Sequence, residues 1–125
     1  VPDRAIPAVS SPPPRTVNLA PLTGKGLWLT LWPGQRLDVA AVVATARREH
    51  LHQLWLRTGS TQDGFYGGAV LRALALSAHK AGIDVIAWDF PTLSDPAQDA
   101  ARASEAFRDG ADGFAPDIET QAEGT

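Results

Sequence analysis

The 125-residue chain contains no cysteine, which excludes disulfides, thiolate metal sites and cysteine nucleophiles together. It contains no methionine and opens Val1-Pro2-Asp3, so an upstream segment is expected to have been removed. No basic run occurs and the formal net charge is -3; the electrostatic footprint of a nucleic-acid or anionic-membrane partner is therefore missing. Apolar stretches are broken well short of the roughly 18 residues a membrane span needs, and no basic-then-apolar signal opens the chain. The three histidines, His50, His52 and His79, fall at a helix end, a strand start and a helix interior. They do not converge, so neither a metal site nor a serine-hydrolase triad is expected. The glycines of "STQDGFYGG" (60–68) match no phosphate-binding spacing.

What is present begins with proline. Pro2, Pro7, Pro12, Pro13, Pro14 and Pro21 crowd residues 1–24, which read as an extended linker or tail. Such a lead is expected of an exported or cell-envelope protein; it also fits a tether in a cytoplasmic one. Residues 25–125 form the domain, a length that suits one hydrophobic core.

In that domain β-favouring runs alternate with helical ones. The four runs are "GLWLTLW" (26–32), "HQLWLRT" (52–58), "DVIAWDF" (84–90) and "GFAPDIE" (113–119). Between the first two, Val39, Val42, Val43 and Ala46 recur at helical spacing, and Val70, Leu71, Leu74 and Ala78 do so after the second. A third helix opens at Asp95-Pro96-Ala97-Gln98, where Asp95 caps and Pro96 takes the first helical position, and it ends at Gly110. Strand followed by helix at this spacing predicts an α/β fold of four successive βα units with parallel crossovers.

Side-chain parity predicts what each face carries. Leu27, Leu29, Leu54 and Leu56 read as the helix-facing set. In the third run Ile86, Trp88 and Phe90 are assigned to the helices and Val85, Ala87 and Asp89 to the opposite face; in the fourth, Phe114, Pro116 and Ile118 oppose Ala115, Asp117 and Glu119. The second face then collects Trp28, Thr30, Trp32, Trp55, Arg57, Asp89, Asp117 and Glu119. A doubly wound sheet needs two aliphatic faces, whereas a (β/α)8 barrel has an interior whose polar groups gather at the strand C-termini. Half of a TIM-type barrel is therefore the expected architecture. Its open side would be covered by a further barrel half, by self-association of two copies, or by some other arrangement of an open sheet, the first being preferred.

The candidate site is that mouth. Asp117 and Glu119, two apart on a strand, share a face, and their mutual repulsion can hold one protonated while the other stays ionised, as acid catalysis at a glycosidic bond requires. Trp32 offers a flat indole for stacking on a sugar ring. Arg57 suits either an ion pair with Asp89 or Asp117 or a substrate contact. Tyr66 and Asp63, on the loop after the second strand, are placed to line the same cleft. Neither a metal nor an organic cofactor is required.

The stretches "GLWLTLW", "LWLRTGS", "GFYGG", "AHKAGIDVIAWDFP" and "DGFAPDIET" resemble the N-terminal half of glycoside-hydrolase-like (β/α) barrels of actinobacterial proteins, many of them exported. More distantly, the Asp-x-Glu after the fourth strand is similar to that of family 25 lysozymes and of chitinase-like barrels, whose motif is Asp-x-Asp-x-Glu; Ala115 stands where that motif has its first aspartate. The resemblance implies a hydrolase acting on a polysaccharide such as a cell-envelope glycan, with Glu119 as general acid and Asp117 as the carboxylate stabilising the reacting centre. Asp89, Trp32, Arg57 and Tyr66 would shape the sugar subsite. The alternative is a non-catalytic glycan-binding or scaffold domain of the same fold.

Overall fold

A computed structural model describes residues 18–119; "SPPPR" and the residues beyond Glu119 lie outside that range. A short 3-10 turn, Ala20–Leu22, leads into β1 (Gly26–Leu29), α1 (Val39–Arg48), β2 (Gln53–Ser60), β3 (Gly64–Phe65), α2 (Gly68–Lys80), β4 (Asp84–Phe90), α3 (Pro96–Arg108) and β5 (Gly113–Pro116). The parallel order is β1-β2-β4-β5, with β3 antiparallel to β2. The expected α/β alternation is thus present, with the strands side by side in chain order. The described helices include none long and apolar enough to cross a membrane.

One face of the sheet is sealed by the helices. Leu54, Leu56, Val85 and Ala87 meet Val43 and Ala46 of α1, Leu71, Leu74, Ala75 and Ala78 of α2 and Ala106 of α3 in a single buried cluster. Register confirms the geometry: Leu54 pairs with Val85, Leu56 with Ala87, and Ala87 with Phe114, and residues paired across neighbouring strands project to the same side.

That register corrects the parity expected for the third run. Val85, Ala87 and Asp89 face the helices, whereas Ile86 and Trp88 pair with Trp55 and Arg57 on the opposite face. The physical reason is volume. The helices approach through alanines, so small Val85 and Ala87 fit beneath them, while a tryptophan there would hold α2 away from the sheet.

The second unexpected feature is the hairpin. β1 ends opposite Leu56, leaving the upper edge of β2 unpaired, and β3 folds back to take that edge, with Gly59 opposite Phe65 and Ser60 opposite Gly64. Gly64 sits at a φ of 72°, as the reversal requires. The register of β2 on β4 shifts between Arg57 and Gly59. A side chain on Gly59 would meet the Gly64 carbonyl at 2.7 Å and Asp89 Oδ2 at 2.9 Å, so only glycine lets hairpin and carboxylate close on each other.

The lower end of the second face is not bare. Gln53 Nε2 donates to the Pro21 and Thr23 carbonyls at 3.3 and 3.1 Å, and Leu22 reaches Gly113 beside the fully buried Ile86. Residues 18–24, expected as the end of a loose lead, therefore pack across the N-terminal ends of the strands.

Among the described residues, α1, α2 and α3 close in one way. The amide two residues past the C-cap reaches back into the last turn: Leu51 N to Ala46 O, Ile83 N to Ala78 O, and Ala111 N to Ala106 O, at 2.8, 2.9 and 3.1 Å. The residue before that amide is Gly82 (φ 72°) or Gly110 (φ 110°) after α2 and α3, but His50 (φ 55°) after α1. A left-handed conformation costs a side chain about 1–2 kcal/mol that glycine does not incur. His50→Gly is accordingly expected to raise unfolding stability by about 1 kcal/mol, while the equivalent Gly82→Ala lowers it; urea unfolding followed by tryptophan fluorescence checks both.

Candidate functional site at the strand C-termini

The mouth of the sheet is organised by a buried ion pair. Arg102 of α3 donates from Nε to Asp89 Oδ2 at 2.7 Å and from Nη2 to Asp89 Oδ1 at 3.0 Å. The same Nη2 lies 2.6 Å from Asp99 Oδ1 and 3.3 Å from Thr61 Oγ1. Thr61 in turn donates to Asp99 Oδ1 and accepts the Thr92 amide at 2.8 Å. The side chains of Asp89 and Arg102 are only 2% and 7% exposed. Asp89, expected among the substrate contacts, thus turns away from the open face and has both oxygens occupied.

Trp28 stacks on Trp55 with ring centroids 4.8 Å apart and planes inclined by 17°, and meets Trp88 at 5.1 Å. Trp88 crosses the open face so that Nε1 donates to the Leu29 carbonyl at 3.1 Å. Arg57 lies above this aromatic floor. Its guanidinium carbon is 4.6 Å from the Trp32 ring centroid, 5.5 Å from that of Trp88 and 5.9 Å from that of Phe90. Neither ion pair anticipated for Arg57 forms: Asp89 is held by Arg102, and no described carboxylate comes within pairing distance.

Trp32, Arg57, Gln62, Asp63, Trp88, Phe90 and Asp117 together line a cleft of about 390 Å³. Each is delivered by a local device. Trp32 sits past the end of β1 in a turn, where its amide donates to Gln35 Oε1 and its carbonyl accepts the Gln35 amide, both at 3.0 Å. Asp63 is held in the hairpin turn by its amide on Ser60 Oγ at 2.9 Å and by Oδ2 accepting from that hydroxyl at 3.2 Å. Asp117 follows β5, its amide donating to the Asp89 carbonyl at 2.7 Å. The pairing that orients Asp117 thus comes from the residue whose side chain anchors α3.

Tyr66 and Glu119 take other positions. The Tyr66 hydroxyl donates to the Leu31 carbonyl, so the phenol ties the β1–α1 loop down instead of lining the cleft. Burial pushes its pKa up; nearby Arg57 pulls the other way, and Asp63 and Asp89 add to the rise. Glu119 is exposed and outside the lining. β5 stops at Pro116, so the strand alternation expected to carry Asp117 and Glu119 onto one face no longer operates there. Trp88 and Phe90 are the lining residues that sequence reading assigned to the wrong face; the small residues Val85 and Ala87 just before them were the available signal.

No protein-family model matches the chain, and no match was found among curated proteins or among solved structures.

Removing one partner of the Arg102–Asp89 pair leaves a buried charge uncompensated. Arg102→Met is expected to cost about 3–5 kcal/mol, and Asp89→Leu combined with it should restore part of that loss; equilibrium unfolding of the single and double variants checks this. Tyr66 is the chain's one tyrosine, so its ionisation is directly readable. With a native pKa above the usual 10.0, folded and unfolded chains are both neutral here at pH 7. Above pH 10 the unfolded chain ionises first, and stability then falls until the native pKa is passed. The 295 nm absorbance step should come at higher pH in the folded protein than in 6 M guanidinium.

Proposed function

We propose that the chain is a glycoside-hydrolase-like domain, half of a (β/α)8 barrel, that takes a saccharide of a polysaccharide at the strand C-termini. The observation that carries the reading is Trp32, 56% exposed, standing in one cleft with Asp63, Asp117 and Gln62. An exposed indole suits the apolar face of a sugar ring, and carboxylate and amide groups suit its hydroxyls. Strands in chain order, helices on one side and aromatic and polar groups on the other support the barrel part of the proposal.

In the catalytic form of this reading Asp117 stabilises positive charge developing at the anomeric carbon, and Glu119 donates the proton to the leaving oxygen. Glu119 lies outside the cleft lining and is exposed, so that role requires the segment after β5 to bring it onto the bound sugar. The same observation favours a second reading, a glycan-binding domain without turnover. Neither form calls for a metal or organic cofactor.

Trp32→Ala is expected to weaken binding of soluble glycan oligomers roughly two- to ten-fold, the scale of one aromatic contact, as read by calorimetry. Glu119→Gln and Asp117→Asn separate the two forms. In a hydrolase both lose turnover, and Glu119→Gln keeps affinity. Oligomer binding without any turnover in the parent chain would leave the binding form, and unchanged affinity in Trp32→Ala would remove the saccharide cleft itself.

A further inference from the structure

Two arginines are buried at the mouth of this sheet, and their surroundings differ. Arg102 has two carboxylates, Asp89 and Asp99, within 2.7 Å. Arg57 is only 9% exposed, its Nε is buried without a hydrogen-bond partner, and no carboxylate of the described residues pairs with it. Three aromatic rings surround the guanidinium. They favour a cation through their faces but offer no in-plane acceptor for its N–H groups. Because a largely buried guanidinium without a counter-charge is unfavourable, it is matched to something that enters the cleft it lines.

We infer that Arg57 is the anion-recognition residue of this cleft and that its ligand is a saccharide bearing a carboxylate, an inference that rests on the saccharide reading above. The planar fork of a guanidinium matches a carboxylate through two parallel hydrogen bonds. Trp32 lies against the same guanidinium at 4.6 Å, so a carboxylate on Arg57 and a sugar ring along the indole can belong to one small molecule. Asp63 and Asp117 on the same lining repel bare polyanions, yet they accept hydrogen bonds from hydroxyls. A cation that no described carboxylate pairs with, beside two acids, therefore selects an anion carried on a hydroxyl-rich body. A phosphate chain lacks such hydroxyls, and a neutral sugar lacks the charge. The three histidines play no part: none of them lines this cleft.

The test compares matched monosaccharides on the whole chain, glucuronate with glucose and galacturonate with galactose, by NMR titration of the four tryptophan indole N–H signals. The acidic member of each pair is expected to bind at least about ten-fold more tightly at low salt, a difference that shrinks as salt is added. Arg57→Met should abolish that preference, and Arg57→Lys should keep part of it. Retention of the Trp88 indole signal, hydrogen-bonded to Leu29 in the native fold, shows that a variant is folded; if Arg57→Met is not, the parent pair and Arg57→Lys still decide. Equal binding of acidic and neutral members overturns the anion subsite and leaves the saccharide cleft standing, as does an acidic preference that survives Arg57→Met. Absence of any shift with all four sugars removes the saccharide reading and this inference with it.

Discussion

The buried Arg102–Asp89 pair is the constraint on which the mouth of this sheet depends. Its two parallel hydrogen bonds fix α3 against the C-terminal end of β4, and Asp99 and Thr61 extend the hold to the start of α3 and to the β2–β3 turn. Space for it comes from Gly59, which sits where the β2–β4 register shifts. A buried pair of this kind is not by itself a strong source of stability, since desolvation offsets much of the attraction. Its contribution is specificity of position. Once Asp89 is committed to α3, the backbone carbonyl of the same residue is aimed at the Asp117 amide, and the path of the chain leaving β5 is set.

The pair also determines the electrostatics of the cleft. Asp89 is the one carboxylate at the end of β4, and its commitment to Arg102 leaves Arg57 among aromatic rings with its Nε unbonded. Had Asp89 pointed to the open face, Arg57 would have been neutralised there and the cleft would be uniformly acidic. Instead, a cation shares the lining with two acids. The Tyr66 bond to Leu31 keeps the β1–α1 loop close, and with it Trp32, the largest exposed group of the lining.

Much of the fold was legible in the residues. Helical spacing located α1 and α2, and Asp95-Pro96 marked the start of α3, where Asp95 accepts the Gln98 amide. The order of strands followed from the alternation. What escaped were features that depend on partners distant in sequence. Asp89 looks like a mouth carboxylate until Arg102, thirteen residues on, is seen to turn beneath it. β3 is only two residues long, and its two pairings with β2 exist because β1 stops early. The same limit applies to Asp117 and Glu119: alternation holds only while the ladder does, and the strand ends at Pro116, with the Asp117 amide making the last bond to β4.

The open face explains why the chain carries four tryptophans. A parallel sheet with helices on one side only must cover its other side. Here the lower end is covered by Pro21, Leu22 and Thr23 and the middle by Trp28, which stacks on Trp55 and meets Trp88 at a tilt. Large rings fill area with few rotatable bonds, so three of them cover more of a curved surface than aliphatic side chains of the same number. The covering is nevertheless graded. Ile86 is fully buried and Trp88 nearly so, yet Trp28, on the four-residue edge strand β1, is 53% exposed. Exposure therefore rises toward the edge strand, where a covering group would meet the indole face of Trp28. Trp28 is outside the cleft lining, so its exposed indole and the Arg57 guanidinium belong to different parts of the open face, joined by the Trp88 ring that Trp28 meets at 5.1 Å.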